Sequence, residues 1–138
     1  MSTTIDTIKS DFEFLDDWED RYRYIIELGR DMAPLAENNK TPANKVEGCA
    51  SQVWLVTEKA NSQPVTLNFH GDSDAHIVRG LVAIITTAFT GKTPAAILEL
   101  NADDLLKSLG LDAHLSQQRA NGLRAMISRI KAEAKAVH

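Results

Sequence analysis

Residues 65–90 constrain the fold most. Val65, Leu67 and Phe69 alternate with Thr66, Asn68 and His70, the period-2 pattern of a strand with one buried face. Gly71-Asp72-Ser73-Asp74 follows and is expected to end the sheet and cap a helix over 75–90. In that helix Ile77, Val78, Leu81, Val82, Ile84, Ile85, Ala88 and Phe89 cover most of the circumference. Such a helix needs cover on nearly every side, so it is expected at the centre. Gly80 in its middle costs about 1 kcal/mol relative to alanine, which predicts close packing against the sheet.

The other segments must supply that cover. Helical spacing places Ile5, Ile8, Phe12 and Leu15 on one face over 4–15. Asp17 is a good N-cap for a second helix bearing Trp18, Tyr22, Ile25, Ile26 and Gly29, with Pro34 just beyond its end. A first strand is predicted over 52–59, joined to the second through Asn61-Ser62-Gln63-Pro64, and a short extended piece over 44–47 offers a third. Short connections favour an antiparallel meander. Thr93-Pro94 opens a short helix, Asn101 another that Gly110 closes, and Ser116 caps a long one striped by Leu123, Met126, Ile127, Ile130 and Ala134. The class is α+β: a small antiparallel sheet of about three strands with helices on one face.

The 138 residues read as one domain, 1–138. A hydrophobic share of 43% and a charged share of 25% belong to ordinary soluble chains, and a net charge of -4 without a basic face argues against nucleic acid. The longest apolar segment, 77–89, is interrupted by Arg79, Gly80 and two threonines, so no membrane span is expected. The first residues lack the basic and apolar regions of a secretory signal, and one cysteine makes no internal disulfide; both favour the cytoplasm. With no unexplained apolar stripe left over, a monomer is expected.

Gly91-Lys92-Thr93 matches the end of a phosphate-binding loop, but Thr86 stands where the signature needs glycine and a helix precedes it. One cysteine and four scattered histidines (70, 76, 114, 138) lack zinc-ligand spacing, so no metal is expected. Cys49 itself lies between turn residues Gly48 and Ser51, ahead of the β-rich run 53–57. A free cysteine is by default an inert buried side chain. Its turn-forming neighbours instead favour a loop tip, where a thiol reaches a partner. Cys49, His70 and Asp72 or Asp74 name the residues of a cysteine hydrolase, a reading that needs geometry to support it. Arg119 falls in the first turn of the last helix, where a cation opposes the helix dipole. It is read either as an ion pair with a nearby carboxylate or as a guanidinium kept for a partner. Gly122 nearby predicts close backbone approach.

Four blocks carry a resemblance that spans essentially the whole chain. Val46-Glu47-Gly48-Cys49-Ala50-Ser51-Gln52-Val53-Trp54-Leu55 resembles the cysteine loop of the SufE-like sulfur acceptors, the SufE and CsdE proteins. Trp18-Glu19-Asp20-Arg21-Tyr22-Arg23 with Ile26-Glu27-Leu28-Gly29 resembles their N-terminal block. Phe69-His70-Gly71-Asp72-Ser73-Asp74 with Ile77-Val78-Arg79-Gly80-Leu81 resembles the strand-to-helix block, and Leu115-Ser116-Gln117-Gln118-Arg119-Ala120-Asn121-Gly122-Leu123 the C-terminal one. The resemblance implies a fold shared with the IscU-type scaffolds. It implies a sulfur acceptor for a PLP-dependent cysteine desulfurase of SufS or CsdA type, which passes sulfur from a Cys49 persulfide to an iron–sulfur assembly scaffold. It implies a sulfur-transfer partner with a covalent intermediate, without a cofactor of its own, and not a stand-alone enzyme. Gln52, Asp72, Asp74, Arg79 and Arg119 are the interface candidates by position in the matching blocks; Gly48 and Ser51 shape the loop. A non-catalytic binding module with a structural cysteine is the alternative, ahead of a cysteine hydrolase.

Overall fold

A computed structural model describes residues 4–137. Residues 1–3 and His138 lie outside the described residues, and with them part of the leader reading and one of the four histidines weighed as ligands. The chain begins with helices α1 (Ile5–Phe14) and α2 (Trp18–Asp31), continues through a 3-10 turn (Glu37–Asn39), and forms strands β1 (Val53–Ala60) and β2 (Thr66–Ser73). Helices α3 (His76–Phe89), α4 (Pro94–Glu99), α5 (Ala102–Ser108), α6 (Leu111–His114) and α7 (Gln117–Val137) follow. The class is α+β, with a small antiparallel sheet and helices packed against it.

The centre is α3, where ten of fourteen residues are buried, so helices must flank it where the sheet does not. It packs against β2, α2 and α7. Thr86, buried within it, donates its hydroxyl to the Val82 carbonyl at 2.9 Å, which satisfies the one polar group there. Gly80 faces α2 and not the sheet, contrary to the sequence expectation. A Cβ there would stand 2.6 Å from the Ile25 carbonyl carbon and closer still to its oxygen, and one at Gly29 would stand 2.7 Å from the Gly80 nitrogen. The two glycines thus let the backbones of α2 and α3 touch.

Two further expectations change. The sheet has two strands, paired from Val53↔Ser73 to Ala60↔Thr66. The predicted third strand is a single bridge, Lys45 to Trp54. Between the turn at Thr41–Asn44 and the positive φ of Gly48 (92°) the chain runs alongside β1 only long enough for two bonds, Val46 N–H to Val53 O (2.8 Å) and Leu55 N–H to Asn44 O (2.9 Å). The strand predicted to end at His70 runs on through Gly71, Asp72 and Ser73. Asp74 consequently does not cap α3, whose N-cap is Ala75 without a side-chain bond. The caps read at Asp17, Thr93 and Ser116 are made, and Asn101, read as the first residue of its helix, instead caps α5.

Candidate functional site

The Cys49 loop runs from the Lys45 bridge to the start of β1. Gly48 turns it with φ 92°, a conformation that strains any side chain, so glycine is required there. Cys49 is half-buried, and its Sγ–H points to the Gly122 carbonyl of α7 at 3.5 Å. Burial pushes the thiol above its ordinary pKa, because the thiolate loses hydration there. A cavity of about 360 Å³ opens at the thiol, bounded by the loop, by Val78 and Leu81 of α3, and by Arg119, Gly122 and Met126 of α7.

Arg119 is exposed at the start of α7, where its backbone N–H is held by Ser116 Oγ at 3.2 Å. Among the described residues it makes no ion pair, so the bland reading of its charge finds no partner. Cys49, Ser51 and Arg119 share the cavity wall. Gly122 gives the predicted close approach: a Cβ there would lie 3.6 Å from Cys49 Sγ.

Gln52 and Asp74 are exposed and form the far anchor of the loop. The Gln52 N–H donates to Asp74 Oδ1 at 3.1 Å, the Asp74 N–H returns a bond to Gln52 O at 3.3 Å, and Ser73 Oγ–H donates to the same oxygen at 2.7 Å. Asp72 and Arg79 stand apart from this surface. Asp72 is 2% exposed; its carboxylate accepts the N–H groups of Leu35 (3.1 Å) and Ser73 (2.8 Å). Arg79 Nε lies 3.5 Å from it, an ion pair outside hydrogen-bond alignment, while Nη2 donates to Met32 O at 2.6 Å. Lys40 Nζ, 3.7 Å from the same carboxylate, lies 5.4 Å from the Trp54 ring centre. Asp72 therefore ties the segment after α2 to the strand–helix junction.

The hydrolase constellation is not assembled. His70 is exposed and pairs with Glu58 across the sheet at 3.4 Å, and the thiol's hydrogen-bond partner is a carbonyl. Among the described residues, no three His, Cys, Asp or Glu side chains are grouped to hold a metal ion, and no helix is long and apolar enough to cross a membrane.

Sequence reasoning missed Arg129. Its guanidinium donates to Ala43 O (2.6 Å) and Lys45 O (3.2 Å), and its Nε to Glu133 (3.0 Å). An arginine seven residues beyond Gly122, two helical turns along the same face, was the available signal.

The family model described as SufE, Fe-S metabolism associated domain, matches residues 6–134. This chain belongs to the SufE family. Uncharacterized SufE-like proteins of Rhizobium meliloti and Rhizobium etli are each 55% identical to it over 134 residues, 96% of this chain and 96% and 90% of theirs. A hypothetical protein from Thermus thermophilus, solved in solution, superimposes with a TM-score of 0.76 over 96% of this chain and 93% of its own. At 17% identity, that likeness establishes a shared fold. SufE membership associates the chain with Fe–S metabolism.

Proposed function

We propose that this SufE-family chain accepts sulfane sulfur on Cys49 from a PLP-dependent cysteine desulfurase, of SufS or CsdA type, and delivers it to an iron–sulfur assembly scaffold. The observation that carries the reading is the setting of the chain's one thiol. It sits on a loop beside a cavity that also presents Arg119, which has no ion pair among the described residues.

The chemistry is a balanced exchange. The Cys49 thiolate attacks the terminal sulfur of the donor's persulfide; a new S–S bond forms to Cys49 as the donor's S–S bond breaks. The donor cysteine leaves as thiolate, the outer sulfur keeps its proton, and no external oxidant or reductant enters. A single thiol suits a carrier, because a second one nearby would close a disulfide and expel the sulfur. Burial disfavours the thiolate in the resting protein, so movement of the loop toward a donor would favour transfer. Exposed Gln52, Asp74 and Arg119 are the residues around the loop that a partner would meet; Asp72 and Arg79 act behind them by holding the strand–helix junction.

With such a desulfurase, cysteine and a reductant, the protein should raise sulfide release, and Cys49→Ser should abolish the rise. Stimulation undiminished in the serine variant would instead support a binding module whose cysteine is structural.

A further inference from the structure

The arm leading to the cysteine lies along one face of α7. Cys49 meets Gly122, a Cβ on Gly48 would stand 3.2 Å from that of Ala125, and the carbonyls of Ala43 and Lys45 meet the guanidinium of Arg129. Gly122, Ala125, Arg129 and Glu133 recur at helical spacing on this face, so small residues admit the arm at one end and charge grips it at the other. From Gly122 to Arg129 the helix rises about 10 Å.

The grip differs from the other anchors of the loop. The bonds of Asn44 and Val46 to β1 join backbone to backbone. The Gln52–Asp74 bonds hold the exit of the loop. Among the described residues, the hydrogen bonds that fasten the entry to the helix that also contacts the thiol come from Arg129. Glu133, at 3.0 Å from Nε, fixes the plane of the guanidinium so that both terminal nitrogens face carbonyls. Nothing in this grip touches Cys49, so it acts on the thiol only through the conformation of the arm.

We propose that Arg129, oriented by Glu133, is a positioning residue that seats the Cys49 loop on α7 and sets how often the thiol is released from its cavity. This rests on the sulfur-acceptor reading for its purpose, but its test does not involve a desulfurase. Released populations of a locally opening segment scale with the bonds that close it.

The test is the rate of Cys49 alkylation by iodoacetamide in the folded protein, with and without low urea. Arg129→Met keeps the apolar stem and removes the donors. Two bonds from a charged donor are lost, so alkylation should quicken roughly tenfold or more. Arg129→Lys, a point charge able to hold one carbonyl at a time, should fall between the variant and the wild type. The acceleration should persist unchanged in low urea, as local opening exposes little surface. An unchanged rate in Arg129→Met overturns the proposal. So does an acceleration that climbs with urea as global unfolding does, because the arginine would then stabilise the fold and not seat the loop. Either result leaves the chemical role of Cys49 to be judged by desulfurase assays.

Discussion

Asp72→Asn separates a clamp from a docking residue. The substitution keeps the shape of the side chain and removes its charge. In the protein the carboxylate is buried and accepts two backbone N–H groups, from Leu35 and Ser73. An amide offers one oxygen, and its NH₂ group must face the other donor, which strands that donor at a cost of about 2 kcal/mol. Arg79 loses its counter-charge, but its side chain is 24% exposed. Solvent therefore reduces the penalty for that broken pair to about 1 kcal/mol. The sum is about 3 kcal/mol. For 138 residues the unfolding entropy is roughly 0.29 kcal/mol/K, so the transition should fall by about 10 °C. Thermal unfolding followed by circular dichroism measures this directly. Below the transition the variant should still stimulate a desulfurase. An unshifted transition together with lost stimulation would refute the clamp and make Asp72 a contact for the partner.

Gly80→Ala should destabilise the fold in urea titrations, since the clash is with Ile25 backbone, which cannot rotate away, and costs about 3 kcal/mol or more, against the helix preference of alanine, about 1 kcal/mol. Gly91→Ala, at φ 81° with open space around it, should cost only about 1–2 kcal/mol of backbone strain; a Gly80→Ala variant as stable as the wild type would contradict the α2–α3 contact. Because burial raises the Cys49 pKa above its ordinary 9.0, the folded protein keeps a proton that the unfolded chain releases. Stability from this source is complete below pH 9.0 and is lost as the pH climbs through the folded value, so Cys49→Ala should flatten the alkaline fall in urea stability. Arg119→Ala, exposed and without an ion pair, should change stability by no more than about 0.5 kcal/mol while weakening stimulation of a desulfurase.

Much of the fold was legible because its segments are periodic. The stripe from Leu123 to Ala134 is buried as its spacing requires, and α3 is central because no polar face was available to expose. What the sequence hid are contacts between distant segments. Asp72 reads as a turn residue, yet it lies within β2, and Leu35 and Lys40, far upstream in sequence, come to its buried carboxylate. Gly80 announced a close approach that was expected against the sheet, whereas the partner is the helix α2. Arg129 grips backbone carbonyls, and carbonyls leave no mark in a sequence. At the site, the cysteine, its glycine and the arginine at the start of α7 were legible; the Gly122 carbonyl beneath the thiol was foreshadowed only as a small residue.

Sulfur acceptance is tested most directly by the mass of the Cys49 peptide after incubation with a PLP-dependent cysteine desulfurase and cysteine, without reductant. The predicted result is one added sulfur atom on Cys49, removed by a thiol reductant. An unmodified Cys49 peptide, while the desulfurase consumes cysteine beside it, would contradict transfer to this chain.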